Sequence, residues 1–117
     1  MTDSIEISAQ DAHARLQAGE IQLVDVREPV EWGAGRIPGD VRHIPLGELA
    51  AQATTLDPKR PIVFQCLVGG RSLQAAEAFR ASGWEAYSLA GGLIAWREAG
   101  LPLEGEVVRP NGDPLPA

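Results

Sequence analysis

Ile62-Val63-Phe64-Gln65-Cys66-Leu67-Val68-Gly69-Gly70-Arg71-Ser72 is the stretch on which the fold turns. Ile62 to Gln65 is densely apolar and reads as a buried strand. A short loop with two adjacent glycines follows, and Ser72 leads into a helix that runs to Ala81. Leu73, Ala76 and Phe79 fall on one side of that helix, and Gly83 ends it. The same stretch carries the chemistry. A thiol past a strand end and before a helix start faces backbone N–H groups that have no partner inside the helix. Gly69 and Gly70 tolerate positive φ and close approach, so the backbone can curl into a nest of donors that binds anions. The helix dipole adds partial positive charge, and Arg71 adds a full one. A free thiol titrates near pH 8.5 and is mostly protonated at neutrality; such a cradle favours the thiolate, which is the nucleophilic form. Cys66 is therefore read as a nucleophile, with Leu67, Val68, Gly69, Gly70, Arg71 and Ser72 as the loop that meets the substrate. A lone cysteine beside a buried strand is by itself an ordinary core residue. The Gly-Gly-Arg-Ser run after it is what an inert thiol would not need.

Outward from this stretch, apolar runs alternate with helical patterns. Ile5-Glu6-Ile7 alternates with a period of two and predicts a short strand. Ser8 caps a helix to about Ala18, with Leu16 inward and Gly19 as the stop. Ile21 to Val26 is a strong strand. Glu28 to Ala34 is a helical turn with Pro29 in its first turn. Arg36 to Gly39 reads as a turn, Val41 to Ile44 as an extended piece, and Leu46 to about Ala53 as a helix. Glu85 to Leu89 is a strand, and Leu93 to Ala99 a last helix ended by Gly100 and Pro102. Short strands separated by helices predict a mainly parallel central sheet with helices on both faces, an α/β three-layer domain. Ligands of such sheets gather beyond the carboxyl ends of the strands, where Cys66 lies. The domain is placed at residues 1–103. Residues 104–117, with their prolines and glycines, read as an irregular or extended, loosely attached tail.

Composition narrows the function. A chain of 117 residues with 44% hydrophobic content holds one core and not two large domains. No apolar run approaches the roughly 20 residues that cross a bilayer, so no membrane role is expected. Ten basic against 16 acidic residues give a net charge of −6, which argues against nucleic acid as a partner. The N-terminal run from Met1 to Glu6 lacks a charged-then-apolar leader. The single cysteine forbids an internal disulfide and a cysteine-rich zinc site. Together these set the expectation of a cytoplasmic protein. His13 and His43 have no second ligand at metal spacing, so no metal is expected. His13 reads as a solvated helix residue and His43 as a packing or turn residue. Gly91-Gly92 lacks the spacing of a dinucleotide site.

Five blocks in order resemble the single-domain rhodanese family of sulfurtransferases. Leu23-Val24-Asp25-Val26-Arg27-Glu28-Pro29 resembles its Asp-x-Arg strand end. Glu31-Trp32-Gly33-Ala34-Gly35-Arg36-Ile37-Pro38-Gly39 resembles its Glu-aromatic-x-x-Gly-His-Ile-Pro-Gly block, and His43-Ile44-Pro45-Leu46 the Asn-Ile-Pro that follows. Cys66 to Ser72 resembles the catalytic loop, and Leu89-Ala90-Gly91-Gly92-Leu93-Ile94-Ala95-Trp96 the closing block. The resemblance implies the rhodanese-like fold and a persulfide mechanism without metal or organic cofactor. Cys66 would take a sulfane sulfur from thiosulfate or a persulfide and pass it to a thiophilic acceptor such as cyanide or a thiol. A sulfur-relay protein is a further partner of this reading. The sequence departs from the family pattern at Arg36, where His is frequent, at Asp40, where Ala is frequent, and at the apolar Leu67 and Val68. The last pair, with the net negative charge, shifts the expected donor from thiosulfate toward persulfidic or protein-bound sulfur.

Four supporting residues follow. Asp25 and Arg27 form an ion pair that braces the loop, or Arg27 meets the donor. Trp32 walls the entrance or packs. Arg36, with Arg42, adds positive field near the mouth or is ordinary surface charge. Trp84 and Trp96 read as core or helix anchors. Two other functions compete with this reading. A phosphatase or arsenate reductase shares the resembled fold and a Cys…Arg loop. Here four residues, Leu67 to Gly70, separate Cys66 from Arg71, whereas the phosphatase loops it resembles have five and so a wider cradle. A non-catalytic, partner-binding module is opposed by the retained cysteine and glycines.

Overall fold

The computed structural model describes residues 3–116. Met1 and Thr2, at the head of the run read as leaderless, and Ala117, at the end of the tail, lie outside the described residues. The strands are β1 (Glu6–Ile7), β2 (Gln22–Asp25), β3 (Gly35–Arg36), β4 (Val41–His43), β5 (Ile62–Gln65), β6 (Ala86–Leu89) and β7 (Glu104–Gly105). The helices are α1 (Ala9–Gln17), α2 (Pro29–Ala34), α3 (Leu49–Gln52), α4 (Gly70–Ala81) and α5 (Gly92–Glu98). Five strands form one parallel sheet in the order β1-β6-β5-β2-β4. The central strands are short and buried along their length, as a sheet covered on both faces requires.

Strand alternation divides the core into two layers. Leu23, Val63, Tyr87 and Leu89 face one side, with Ala9 and Ala12 of α1 and Leu93 and Trp96 of α5. Val24, Ile62, Phe64 and Ala86 face the other, with Leu49 of α3 and Ala75, Ala76 and Phe79 of α4. The predicted α/β three-layer architecture is the observed one. Local signals act where expected. The Ser8 side chain accepts from the Asp11 amide and so caps α1, and Pro29 opens α2.

Several expectations need correction. The helix from Leu46 to Ala53 is a single α-helical turn flanked by 3₁₀ turns. Arg36 lies not in a turn but in β3, which pairs antiparallel with β7. That pairing draws in the stretch read as a loose tail. Val107 and Val108 are buried, Val108 bridges to Pro114, and Leu115 packs against the α1–α5 side of the core. Burial of these apolar side chains, not local propensity, holds the segment. The close approach depends on two glycines: a Cβ on Gly35 would sit 2.2 Å from the Glu106 oxygen, and one on Gly105 2.2 Å from the Ala34 oxygen. His13 is not a free surface residue, because it meets the Trp96 ring edge-on at 5.4 Å. Trp96 anchors α5 as read; it is 1% exposed and its Nε1 donates to the Pro102 carbonyl at 2.8 Å.

Candidate active site

The parallel sheet puts the carboxyl ends of β2, β4, β5 and β6 at one edge, and Cys66 follows β5 there. Cys66 turns its side chain toward α4. Its Sγ accepts from the Gly69 amide at 3.1 Å and the Ser72 amide at 3.4 Å, and lies 3.4 Å from the Ser72 hydroxyl. The cradle is thus two amides at the start of a twelve-residue helix, with the thiol itself donating to the Ser72 hydroxyl, and it is smaller than the full ring of donors expected. Gly69 makes it possible, for its φ of +111° turns the chain out of the loop and into α4, which carries the Ser72 amide back to sulfur. Gly70 is ordinary helix backbone and has no such requirement. The Ser72 hydroxyl shares a 2.8 Å hydrogen bond with Ser88 of β6, which fixes its position. Cys66 is 1% exposed, so the burial expected of an inert thiol coexists with the donors expected of an active one.

The loop around it divides differently from the expectation. Leu67 is buried and joins the α1–α5 side of the core, so it does not line the approach to sulfur. Val68 is 62% exposed and forms the crest. The loop backbone is held from below by α5: the Leu93 amide donates to the Cys66 carbonyl at 2.8 Å and the Ile94 amide to Leu67 at 3.2 Å. Gly92 allows this contact. A Cβ there would lie 2.5 Å from the Leu67 oxygen and 2.7 Å from the Cys66 oxygen. The Gly91-Gly92 block, which the sequence reading matched without assigning a role, is the bed of the loop.

Arg71 is not free to offer its charge. Its two terminal nitrogens meet the two Glu31 oxygens at 2.7 and 2.9 Å. Glu31 is fully buried on α2, and its Oε1 also accepts from the Glu28 amide at 3.0 Å. Burial alone would raise the Glu31 carboxyl, but the Arg71 hydrogen bond, the Glu28 amide and the charges of Arg71 and Arg27 outweigh it and hold it below the ordinary range. Arg71 is pushed up, chiefly by its hydrogen bond to Glu31, against some loss from burial; the charges of Glu31, Cys66 and Asp25 add to the rise. Sequence reading missed Glu31. Its signal was present in the block that begins at Glu31, but the partner lies 40 residues away.

Asp25 and Arg27 do form the expected pair, and both are 0% exposed. Arg27 donates through Nε and Nη2 to the carboxylate at 2.8–3.0 Å, and its own amide bonds Asp25 Oδ1 at 2.9 Å. Nη2 also reaches the Gly35 carbonyl at 2.8 Å and Nη1 the Glu31 carbonyl at 3.4 Å. Arg27 is therefore a brace for α2 and β3, and its burial leaves no face for a donor. Trp32 stacks on His43 with ring centres 4.9 Å apart, and His43 Nε2 bonds the Arg27 carbonyl at 2.7 Å. Arg36 lies over Trp32 at 5.1 Å and donates to the Trp32 carbonyl at 3.1 Å. Arg42 is engaged with Thr55. Among the described residues no group of three His, Cys, Asp or Glu side chains forms a metal cluster. No helix among them is long and apolar enough to cross a membrane.

Comparison with known proteins bears on the family and the fold. The family model described as rhodanese-like domain matches residues 8–99. The chain is 34% identical to a protein named sulfurtransferase from Allochromatium vinosum, over 92% of this chain and 97% of that one. It is 40% identical to part of an HTH-type transcriptional regulator of Mycobacterium tuberculosis, over 85% of this chain but only 44% of the regulator's length. Among solved structures, a rhodanese-related protein from Thermoplasma volcanium superposes with a TM-score of 0.78 at 29% identity, covering 86% of this chain and 98% of the other.

Proposed function

This chain belongs to the rhodanese-like domain family, and we propose that Cys66 carries sulfur as a persulfide. The observation that carries the reading is the pair of amides at the start of α4, those of Gly69 and Ser72, that donate to Sγ. Amide donors at a helix start stabilise an anionic sulfur, first the thiolate and then the persulfide it becomes. In the first half-reaction the Cys66 thiolate attacks the terminal sulfur of a donor, thiosulfate or a persulfide. A bond forms between the two sulfurs, and the donor remnant leaves with the electron pair. In the second, cyanide or a thiol attacks the outer sulfur and the Cys66 thiolate is restored. With no second cysteine in the chain, the acceptor comes from outside it. The proposed partners are thus small sulfur donors and thiophilic acceptors, with a relay protein at either step. Relatives named sulfurtransferases support this transferase class.

The phosphatase reading is weaker on the same geometry, because the loop arginine that would bind a phosphate is clamped by Glu31. Intact mass spectrometry after incubation with thiosulfate or glutathione persulfide tests the proposal. The expected result is a gain of about one sulfur, about 32 Da, on Cys66 and none on Cys66→Ser, as covalent catalysis through that thiolate requires. No adduct with either donor refutes it.

A further inference from the structure

The guanidinium groups at the site end of the sheet are already engaged with the protein. Arg27 is buried against Asp25. Arg36 lies over Trp32 and reaches Glu104 at 3.6 Å. Arg71 alone sits on the Cys66 loop, 27% exposed, and both of its terminal nitrogens are held by a carboxylate that is 0% exposed. Arg71 immediately precedes Ser72, whose amide bonds Sγ at 3.4 Å. A free cation at that point would draw a dianion to the thiol; a cation cancelled by a buried carboxylate does not. The chain as a whole carries −6, which repels a dianion further. The exposed crest of the loop is Val68, an apolar side chain.

We propose that Glu31 is a specificity-determining residue: by neutralising Arg71 it leaves the Cys66 loop without net positive charge, so that the site selects persulfides, R–S–SH, over thiosulfate. The inference rests on the sulfur-transfer reading and names its donor class. With a persulfide, the Cys66 thiolate bonds the outer sulfur, the S–S bond of the donor breaks, and R–S⁻ departs with the bonding pair. One negative charge enters the step and one leaves it. With thiosulfate the same displacement expels sulfite, and a dianion must be brought against a thiolate with no unpaired cation to offset it. Glu31 positions and neutralises; it does not touch the reacting atoms.

The test compares kcat/KM for thiosulfate and for 2-hydroxyethyl persulfide, a donor with no charged group besides its sulfur, at fixed acceptor, in wild type, Glu31→Gln and Glu31→Gln/Arg71→Met. Glutamine keeps an acceptor for Arg71 and for the Glu28 amide while removing the charge. Wild type is expected to favour the persulfide. Glu31→Gln is expected to move the ratio toward thiosulfate by about tenfold, mainly through KM, as an uncovered cation near the thiol would; adding Arg71→Met is expected to remove the gain. In wild type the thiosulfate kcat/KM is expected to rise with ionic strength, because salt screens repulsion. That series needs no variant, so a rate that falls with salt overturns the proposal even if Glu31→Gln does not fold. An unmoved ratio in folded Glu31→Gln, or a wild-type thiosulfate rate that falls steeply with salt, overturns the proposal while sulfur transfer stands. Failure of both donors to add sulfur to Cys66 overturns the two together.

Discussion

Two arginine–carboxylate pairs stand at the same end of the sheet and do different work. Asp25 and Arg27 are two residues apart, both fully buried, and tied into the backbone of α2 and β3. Glu31 and Arg71 are 40 residues apart, one buried and one reaching the surface of the Cys66 loop. The first pair is sealed from any substrate and can only hold structure. The second sets both the shape and the charge of the loop. The difference teaches that one bidentate motif serves as a brace or as a tuning element according to which partner keeps a wet face.

Charge removal at Asp25 should give the largest effect. Asp25→Asn leaves the Arg27 cation buried and unbalanced, and the expected loss is about 3–5 kcal/mol of unfolding free energy in urea titrations. A loss under about 1 kcal/mol would mean that the two pairs do not differ as described. The Glu31 pair should be milder but dependent on pH. Because the fold depresses the Glu31 carboxyl, its contribution is fully present above the unfolded value near 4.5 and drains away as pH falls through the lower folded value. Urea midpoints measured from neutrality into that acid range should therefore fall more steeply for wild type than for Glu31→Gln. Parallel curves would place the acid sensitivity elsewhere. The smallest effect is expected at the exposed pair of Arg36 and Glu104, whose side chains are 32% and 57% exposed. Glu104→Gln should change stability by about 0–1 kcal/mol, and the change should vanish in high salt. A larger cost would show that the β3–β7 pairing depends on charge and not on its buried valines.

The parts of the site that read correctly from sequence are local. Gly69 lies three residues from Cys66 and Ser72 six, and the strand–glycine–helix order is enough to place their amides near sulfur. The Asp25–Arg27 pair was legible for the same reason. Leu67 was misread because it was treated as loop. It continues the strand alternation of Val63 and Gln65 and so enters the core on their side of the sheet. Reading the period of two beyond the strand end would have found it. The tail was misread because proline and glycine predict irregular backbone and say nothing about what that backbone packs against. Val107 finds its partners among residues distant in sequence.

Taken alone, the chain determined an α/β alternation around a parallel sheet and a single thiol between a buried strand and a glycine-led helix. Those features arise from hydrophobic period, capping and backbone freedom, which act over a few residues. The tertiary structure decided that Arg71 is neutralised, that Arg27 is sealed, and that Gly92 beds the loop. Each depends on groups brought together only when distant segments close around the core. Charge and steric contact at a few ångströms cannot be assigned before that closure sets the distances.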